Sequence, residues 1–356
     1  MTNGVHRRPQ EEHMTEKILI TGGAGFIGSH CARYFAEKGI KVVIIDNLSR
    51  KGTQDNLTWL KEKWPITHYP VDIRNNDALQ TVFAKEKKFD AVLHLAAQVA
   101  VTTSVKDPRE DFDINALGTF NMLESIRRTA PETPFLFSST NKVYGHLPNV
   151  AVSEANNRYV FKDKKGISEA QTLDFHSPYG CSKGCADQYV IDYARIYGMR
   201  TVSFRQSCIY GERQFGVEDQ GWVAWFTIAG ILGRPVTVYG DGKQVRDILF
   251  VTDLVKLFET AIERKELLKG DAYNIGGGHA NTLSLLELID ILEKAGIEMR
   301  YTFDDWRPGD QKVFVSDNGK AEQALGWRPT MDPESGIHRL IRWVSSHQDL
   351  LKSVLS

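Results

Sequence analysis

Lys17-Ile18-Leu19-Ile20-Thr21 runs directly into Gly22-Gly23-Ala24-Gly25-Phe26-Ile27-Gly28, and this junction limits the possible folds more than any other stretch. A short continuous apolar run closed by glycines reads as a strand buried on both faces, as in parallel sheets. Residues 26–38 then read as a helix stopped by Gly39, and Lys41–Asp46 as the next strand. Together they have the length of a βαβ mononucleotide-binding half. The rhythm continues. Strands at 90–95, 135–139 and 201–205 alternate with helices at 111–129 and 179–197, closed by Pro131 and Gly198. This alternation predicts an α/β fold, a Rossmann-type doubly wound parallel sheet covered on both faces.

Glycines in such a turn let the backbone approach a pyrophosphate, while the following helix N-terminus faces its charge. The spacing of Gly22, Gly25 and Gly28 differs by one residue from the dinucleotide fingerprint Gly-x-Gly-x-x-Gly. Asp46 ends the second strand, about 20 residues on, where a carboxylate bonds the adenosine ribose. Its charge would repel a 2′-phosphate, so NAD is expected rather than NADP. Arg50 and Lys51 are the features that would favour NADP. Asp72-Ile73 follows the third strand and could read the adenine edge; a helix N-cap is the alternative for Asp72. The expected cofactor contacts are Gly22, Gly25, Phe26, Ile27, Gly28, Asp46, Asn47, Asp72 and Ile73.

Tyr179 and Lys183 stand four residues apart, so on a helix they share one face. An ammonium beside a phenol favours the phenolate and lowers its pKa. Such a phenolate, next to a nicotinamide, can take a proton from an alcohol as hydride leaves the carbon. Ser138-Ser139-Thr140 lies between the two motifs. A lone Tyr-x-x-x-Lys means little; after a glycine fingerprint it points to dehydrogenase-type chemistry on a hydroxyl.

Gly22–Gly28, Asp72-Ile73, Leu95-Ala96-Ala97, Asn115, Ser138-Ser139-Thr140, Tyr179/Lys183 and Gly240–Asp247 together resemble the extended short-chain dehydrogenase/reductase family, from about Lys17 to Trp343. Within it the chain resembles nucleotide-sugar epimerases, most of all those acting at C2 of CDP-sugars. That likeness rests on Ser139–Gly145, Asp174–Gly184 and Arg205–Gly216. The resemblance implies bound NAD, with Leu95, Ala96, Ala97, Asn115, Tyr179 and Lys183 added to the cofactor contacts. It implies catalysis by Thr140, Tyr179 and Lys183: Tyr179 as base, Lys183 on the nicotinamide ribose, Thr140 on the reacting oxygen. Asn115 could instead bond locally within its helix. Related 4,6-dehydratases carry Asp-Glu where this chain has Asn141-Lys142, which argues against water elimination. A 4-epimerase of UDP-hexoses and a non-catalytic NAD-sensing protein are the alternatives.

Arg246 and Arg307 are expected to clamp a substrate pyrophosphate, because guanidinium binds phosphate oxygens in bidentate fashion. A surface salt bridge is the alternative for each. Asp310 is a candidate for a ribose hydroxyl, and Gln206 and Ser207 for the sugar. Together with Cys208 and the 150–177 segment, they are the expected lining for a dideoxy sugar, which lacks hydroxyls at C3 and C6. Trp222, Trp225 and Phe226 at helical spacing read as core rather than as base-stacking residues.

The remaining features set bounds. The chain of 356 residues divides into an expected disordered lead-in over 1–13, a cofactor domain over 14–212 with a later contribution from about 245–270, and a mainly substrate-binding lobe over 213–356. In that lobe, helices are expected at 221–232, 253–264 and 283–295, and short strands at 236–239, 273–275 and 299–303. The polar segment 150–177 reads as an insertion without regular structure at the sheet's C-terminal edge. A net charge of −1 with no basic run argues against a nucleic-acid partner. No apolar stretch suggests a membrane span or signal peptide. The scattered cysteines 31, 181, 185 and 208 have no histidine spacing that would make a metal site, so no metal is expected. A cytoplasmic enzyme is expected. The family resemblance implies a homodimer or homotetramer through helices like 111–129 and 179–197.

Overall fold

The computed structural model describes residues 15–307 and 310–355; the expected lead-in, 1–13, lies outside them. The first part of the chain alternates β1 (Lys17–Thr21), α1 (Phe26–Glu37), β2 (Lys41–Ile45), α2 (Thr53–Lys63), β3 (Ile66–Tyr69), α3 (Asn76–Glu86) and β4 (Ala91–His94). Short helices α4 (Val101–Lys106) and α5 (Pro108–Phe112) lead into α6 (Gly118–Thr129), then β5 (Phe135–Thr140). A hairpin, β6 (Val152–Ala155) and β7 (Arg158–Phe161), precedes the long α7 (Ser177–Tyr197) and β8 (Thr201–Gln206). Beyond lie β9 (Cys208–Tyr210), α8 (Trp222–Ile231), β10 (Val236–Tyr239), β11 (Val245–Phe250), α9 (Val251–Glu263), β12 (Asp271–Ile275), β13 (Thr282–Ser284) and α10 (Leu285–Lys294). The chain ends with β14 (Tyr301–Asp304), β15 (Val313–Phe314), α11 (Gly319–Leu325), α12 (Pro333–Ser346) and α13 (Gln348–Leu355).

Seven strands form one parallel sheet in the order β12-β8-β5-β4-β1-β2-β3. The order reverses beside β1, the crevice where ligands of such sheets bind. Side chains alternate across it as a strand's period requires. Ile18, Ile20, Val42 and Ile44 face α1 and α9, where Phe35, Leu254 and Phe258 meet them. Leu19, Val43 and Ile45 face the opposite layer with Met122, Leu123 and Val190. A second core gathers α8, β10, α10 and α12 around Ile248 and Phe250 of β11. There β11 pairs with β9, β13 and β15, so β9 leaves the main sheet directly after β8.

Two expectations need correction. The helix expected over 111–129 is interrupted: Asp113–Leu117 is a π-helical turn between α5 and α6, a local irregularity of the kind often found at functional sites. The 150–177 segment is not structureless. Asn156 takes the positive φ that closes the β6–β7 hairpin. Tyr159 then packs with Val245, Val313 and Val315, and Ile167 donates to the Val315 carbonyl at 2.8 Å. The hairpin therefore braces the β11 sheet.

Candidate active site

A cavity of about 780 Å³ opens where the C-terminal ends of β1, β2, β4, β5 and β8 face β9, α8, β10 and β11. Gly22, Gly25, Phe26, Ile27, Gly28, Asp46, Asn47, Asp72, Ile73, Leu95, Ala96 and Ala97 line one end of it. Gly22 has φ +66, and a Cβ there would lie 2.7 Å from the Ala96 amide nitrogen. A Cβ on Gly28 would lie 2.1 Å from the Gly22 carbonyl oxygen. Only glycine permits this close packing of turn, strand and helix. Gly25 is the N-cap of α1 and offers no side-chain cap, which leaves amide donors for an anion.

Asp46 is held by backbone donors: Ala24 N–H at 3.0 Å and Leu48 N–H at 2.9 Å. Burial raises its pKa, and these two donors oppose the rise. Asp72 pairs with Arg74 at 2.7 Å and accepts from Asn47 at 2.9 Å, so its carboxyl pKa is lowered, chiefly by the guanidinium. The N-cap of α3 is Asn75, not Asp72. Asn115 is absent from the cavity lining. Its amide bonds the Gln98 backbone in both directions, Asp111 at 3.1 Å and Ser182 at 3.2 Å. These are the local bonds that the sequence reading kept as the alternative for Asn115.

Thr140 ends β5, and Tyr179 and Lys183 lie one turn apart on α7; all three line the cavity. The Thr140 hydroxyl donates to Asn141 Oδ1 at 3.4 Å and accepts the Lys142 N–H at 3.2 Å. Lys183 Nζ donates to the Ser138 carbonyl at 2.6 Å and sits 4.1 Å from the Phe137 ring centroid. Behind α7, Asp111 accepts from Ser182 at 2.5 Å and from Gln98 at 2.8 Å.

The electrostatics depart from the simple Tyr–Lys picture. Burial pushes the Tyr179 phenol up to about 12, opposed by the Thr140 hydroxyl and the Arg50 charge. Burial also brings Lys183 down to about 7, opposed by Asp187 and Asp111. Desolvation is the leading influence on both groups.

At the other end, Gln206, Ser207, Arg246, Arg307 and Asp310 line the cavity. Ser207 donates to Asp247 at 2.5 Å. Arg246 pairs with Asp310 at 2.5 Å. Arg307 lies 3.8 Å from the Tyr239 ring centroid, donates to the Glu218 carbonyl at 3.2 Å and pairs with Asp219 at 3.3 Å. No residue of 150–177 lines the cavity; Cys208, Trp222 and Phe226 do. Trp222 Nε1 donates to Cys208 Sγ at 3.4 Å, so this pair is wall as well as core. Sequence reasoning gives no site role to Lys142, Gln214, Asp219 or Gln244, and weighs Arg50 only as a feature favouring NADP. Lys142 carries the one usable signal, its place two residues beyond Thr140.

A family model described as GDP-mannose 4,6 dehydratase matches residues 19–340, nearly the span that the motifs mark. This chain belongs to that family, within the extended short-chain dehydrogenases/reductases. The CDP-paratose 2-epimerase of Salmonella typhi is 46% identical over 337 residues, covering 93% of this chain and 99% of its own. The UDP-glucose 4-epimerase of Thermotoga maritima, solved with UDP-glucose, superposes with a TM-score of 0.80 at 29% identity, covering 93% of this chain and 99% of its own. That of Thermus thermophilus, in complex with NAD, gives 0.77 at 31%, covering 92% and 98%.

Proposed function

We propose that this chain is an NAD-dependent nucleotide-sugar epimerase that interconverts CDP-paratose and CDP-tyvelose at C2. The observation that carries the reading is the cavity itself. Tyr179, Thr140 and Lys183 stand between a glycine cradle and a wall bearing Arg246 and Arg307, without the acidic pair of a dehydratase. The 46% identity to a CDP-paratose 2-epimerase over nearly the whole chain supports the substrate. So does a wall containing Cys208, Trp222 and Phe226, which suits a sugar lacking hydroxyls at C3 and C6.

The cradle fits NAD: the uncapped start of α1 suits its diphosphate, and Asp46 suits a ribose diol and opposes a 2′-phosphate. Bound NAD supplies a reversible hydride acceptor, so an alcohol can be oxidised and rebuilt inverted with no net redox. Tyr179 takes the C2 hydroxyl proton and returns it after the keto-sugar has turned over. Thr140 holds the phenol and reacting oxygen together. Lys183, fixed on the Ser138 carbonyl, would hold the nicotinamide ribose of bound NAD.

A second copy of this chain covers the face where Phe112, Leu117, Phe120, Tyr189, Ile196 and Tyr197 are exposed along the α5–α6 and α7 helices. A homodimer or homotetramer results, and a monomer in sedimentation at micromolar concentration would exclude it. The need for NAD and a nucleotide-sugar supports a cytoplasmic enzyme. No helix among the described residues is long and apolar enough to cross a membrane.

Deuterium labelling tests the whole reading. CDP-paratose deuterated at C2 is expected to give CDP-tyvelose that keeps the label, and unlabelled substrate in D2O to gain none there. Solvent deuterium at C2, read by NMR, would mean deprotonation rather than hydride transfer. Inversion of UDP-hexoses alone, at C4, would overturn the substrate.

A further inference from the structure

Lys142 lines the cavity, yet its ammonium makes no hydrogen bond or ion pair with any described residue. Its neighbours are differently placed: Arg246 is paired with Asp310, Arg307 with Asp219, and Lys183 with a carbonyl. The ammonium is within electrostatic reach of Arg246, Asp310, the Cys208 thiol and His146. Its backbone is rigidly set. Lys142 N–H is held by Thr140, and the short 3₁₀ turn Asn141–Tyr144 is anchored by buried Val143 and Tyr144. The Tyr144 hydroxyl donates to Asn274 at 2.7 Å and accepts from Arg205 at 3.1 Å. The backbone of the lysine is thus fixed two residues from Thr140, which lines the cavity with Tyr179.

Half-buried Lys142 and buried Arg246 place two cations on one cavity wall, an arrangement that favours an anion between them. One carboxylate, Asp310, does not balance the two. The anion that a nucleotide-sugar brings is its diphosphate, attached at C1. When C2 is presented to Tyr179, the sugar-proximal phosphorus lies only a few bonds from the reacting oxygen, nearer than when C4 reacts. A cation on the cavity wall close to Thr140 therefore suits a substrate presented at C2 better than one presented at C4. Lys142 has that position.

We propose that Lys142 binds the sugar-proximal phosphate together with Arg246, and that this contact presents C2 to the catalytic tyrosine. The proposal rests on the CDP-sugar reading above.

The test titrates CDP and CMP by calorimetry into NAD-loaded wild type and Lys142→Met. CDP carries the phosphate at issue and CMP lacks it; UDP and UMP are run alongside so that base preference does not decide the outcome. Losing a charge-assisted contact is expected to weaken diphosphate binding by ~10- to 100-fold and to leave the monophosphate unchanged. Lys142→Arg is expected to restore most of the affinity. Equal diphosphate affinity in wild type and Lys142→Met would overturn the assignment. So would an equal loss for both nucleotides, the signature of a generally loosened site. If Lys142→Met does not fold, Lys142→Gln is measured in the same way. With CDP-paratose, kcat is expected to fall along with kcat/KM; an unchanged kcat overturns the presentation of C2. A wild type inactive on CDP-paratose would sink the substrate reading, while the diphosphate-against-monophosphate contrast would still decide the phosphate contact.

Discussion

The two ends of the cavity satisfy their polar groups by different means. At the cofactor end, Asp46 is held by two backbone N–H groups, and Gly22 and Gly28 pack against backbone atoms that leave no room for a side chain. At the substrate end, cations rest on carboxylates of the same wall: Arg246 on Asp310 and Arg307 on Asp219. Buried amide atoms there, Gln206 Nε2 and the Oε1 atoms of Gln214 and Gln244, have no partner among the described residues. A buried polar atom without a partner costs stability. The first end is preformed by backbone, whereas the second keeps charges and amides that a ligand can complete. A cofactor that stays bound suits the first arrangement, and a substrate that enters and leaves suits the second.

The largest expected effect falls at the seam between the two ends. Tyr179→Phe removes the proton acceptor and little volume, so turnover should fall by about 10²–10⁴-fold. Cofactor content after purification should be unchanged, because the cradle is made elsewhere. A loss of rate under about tenfold would remove Tyr179 as the base. Loss of bound NAD in the same variant would mean that the two ends are not independent.

A middle-sized effect probes the preformed end. Asp46→Asn replaces one carboxylate oxygen with an amide donor, in a place where both oxygens accept backbone N–H groups. NAD affinity should fall by roughly 10- to 100-fold, with discrimination against NADP relaxed. Fluorescence titration of both cofactors checks this. Unchanged NAD binding would show that the carboxylate only braces the turn.

The same contrast explains what can be read from the sequence. The cofactor end is written almost contiguously: one glycine turn, one strand-end aspartate, one Leu-Ala-Ala. Local spacing alone sets that geometry, and Tyr179/Lys183 follow from helical periodicity. The substrate end is assembled from Lys142, Gln206–Cys208, Asp219, Trp222, Gln244–Arg246 and Arg307, brought together by β9, β11 and β15. Strands as short as Cys208–Tyr210 and Val313–Phe314 are too brief to show a period. The polarity of the 150–177 segment hides a hairpin, because its apolar residues, Tyr159 among them, meet a sheet far away in sequence. The fall of the Lys183 pKa is likewise a property of burial, which spacing cannot report.

The smallest expected effect is the most direct test of the substrate end. Asp219 is partly exposed, and exposed pairs contribute about 0–1 kcal/mol. If its carboxylate stands where the substrate diphosphate will be, it competes for Arg307 and repels the incoming charge. Asp219→Asn should then lower KM for the CDP-sugar by about 2- to 5-fold and leave kcat unchanged. The gain should shrink as salt rises, because the competing charge is screened. Steady-state kinetics at two ionic strengths measures both. A KM that rises would mean that Asp219 orders the 215–221 loop into a working wall, and that the Arg307 pairing is part of the finished site. In that case the substrate end would be as preformed as the cofactor end, and the contrast between them would rest on the unpartnered glutamines alone.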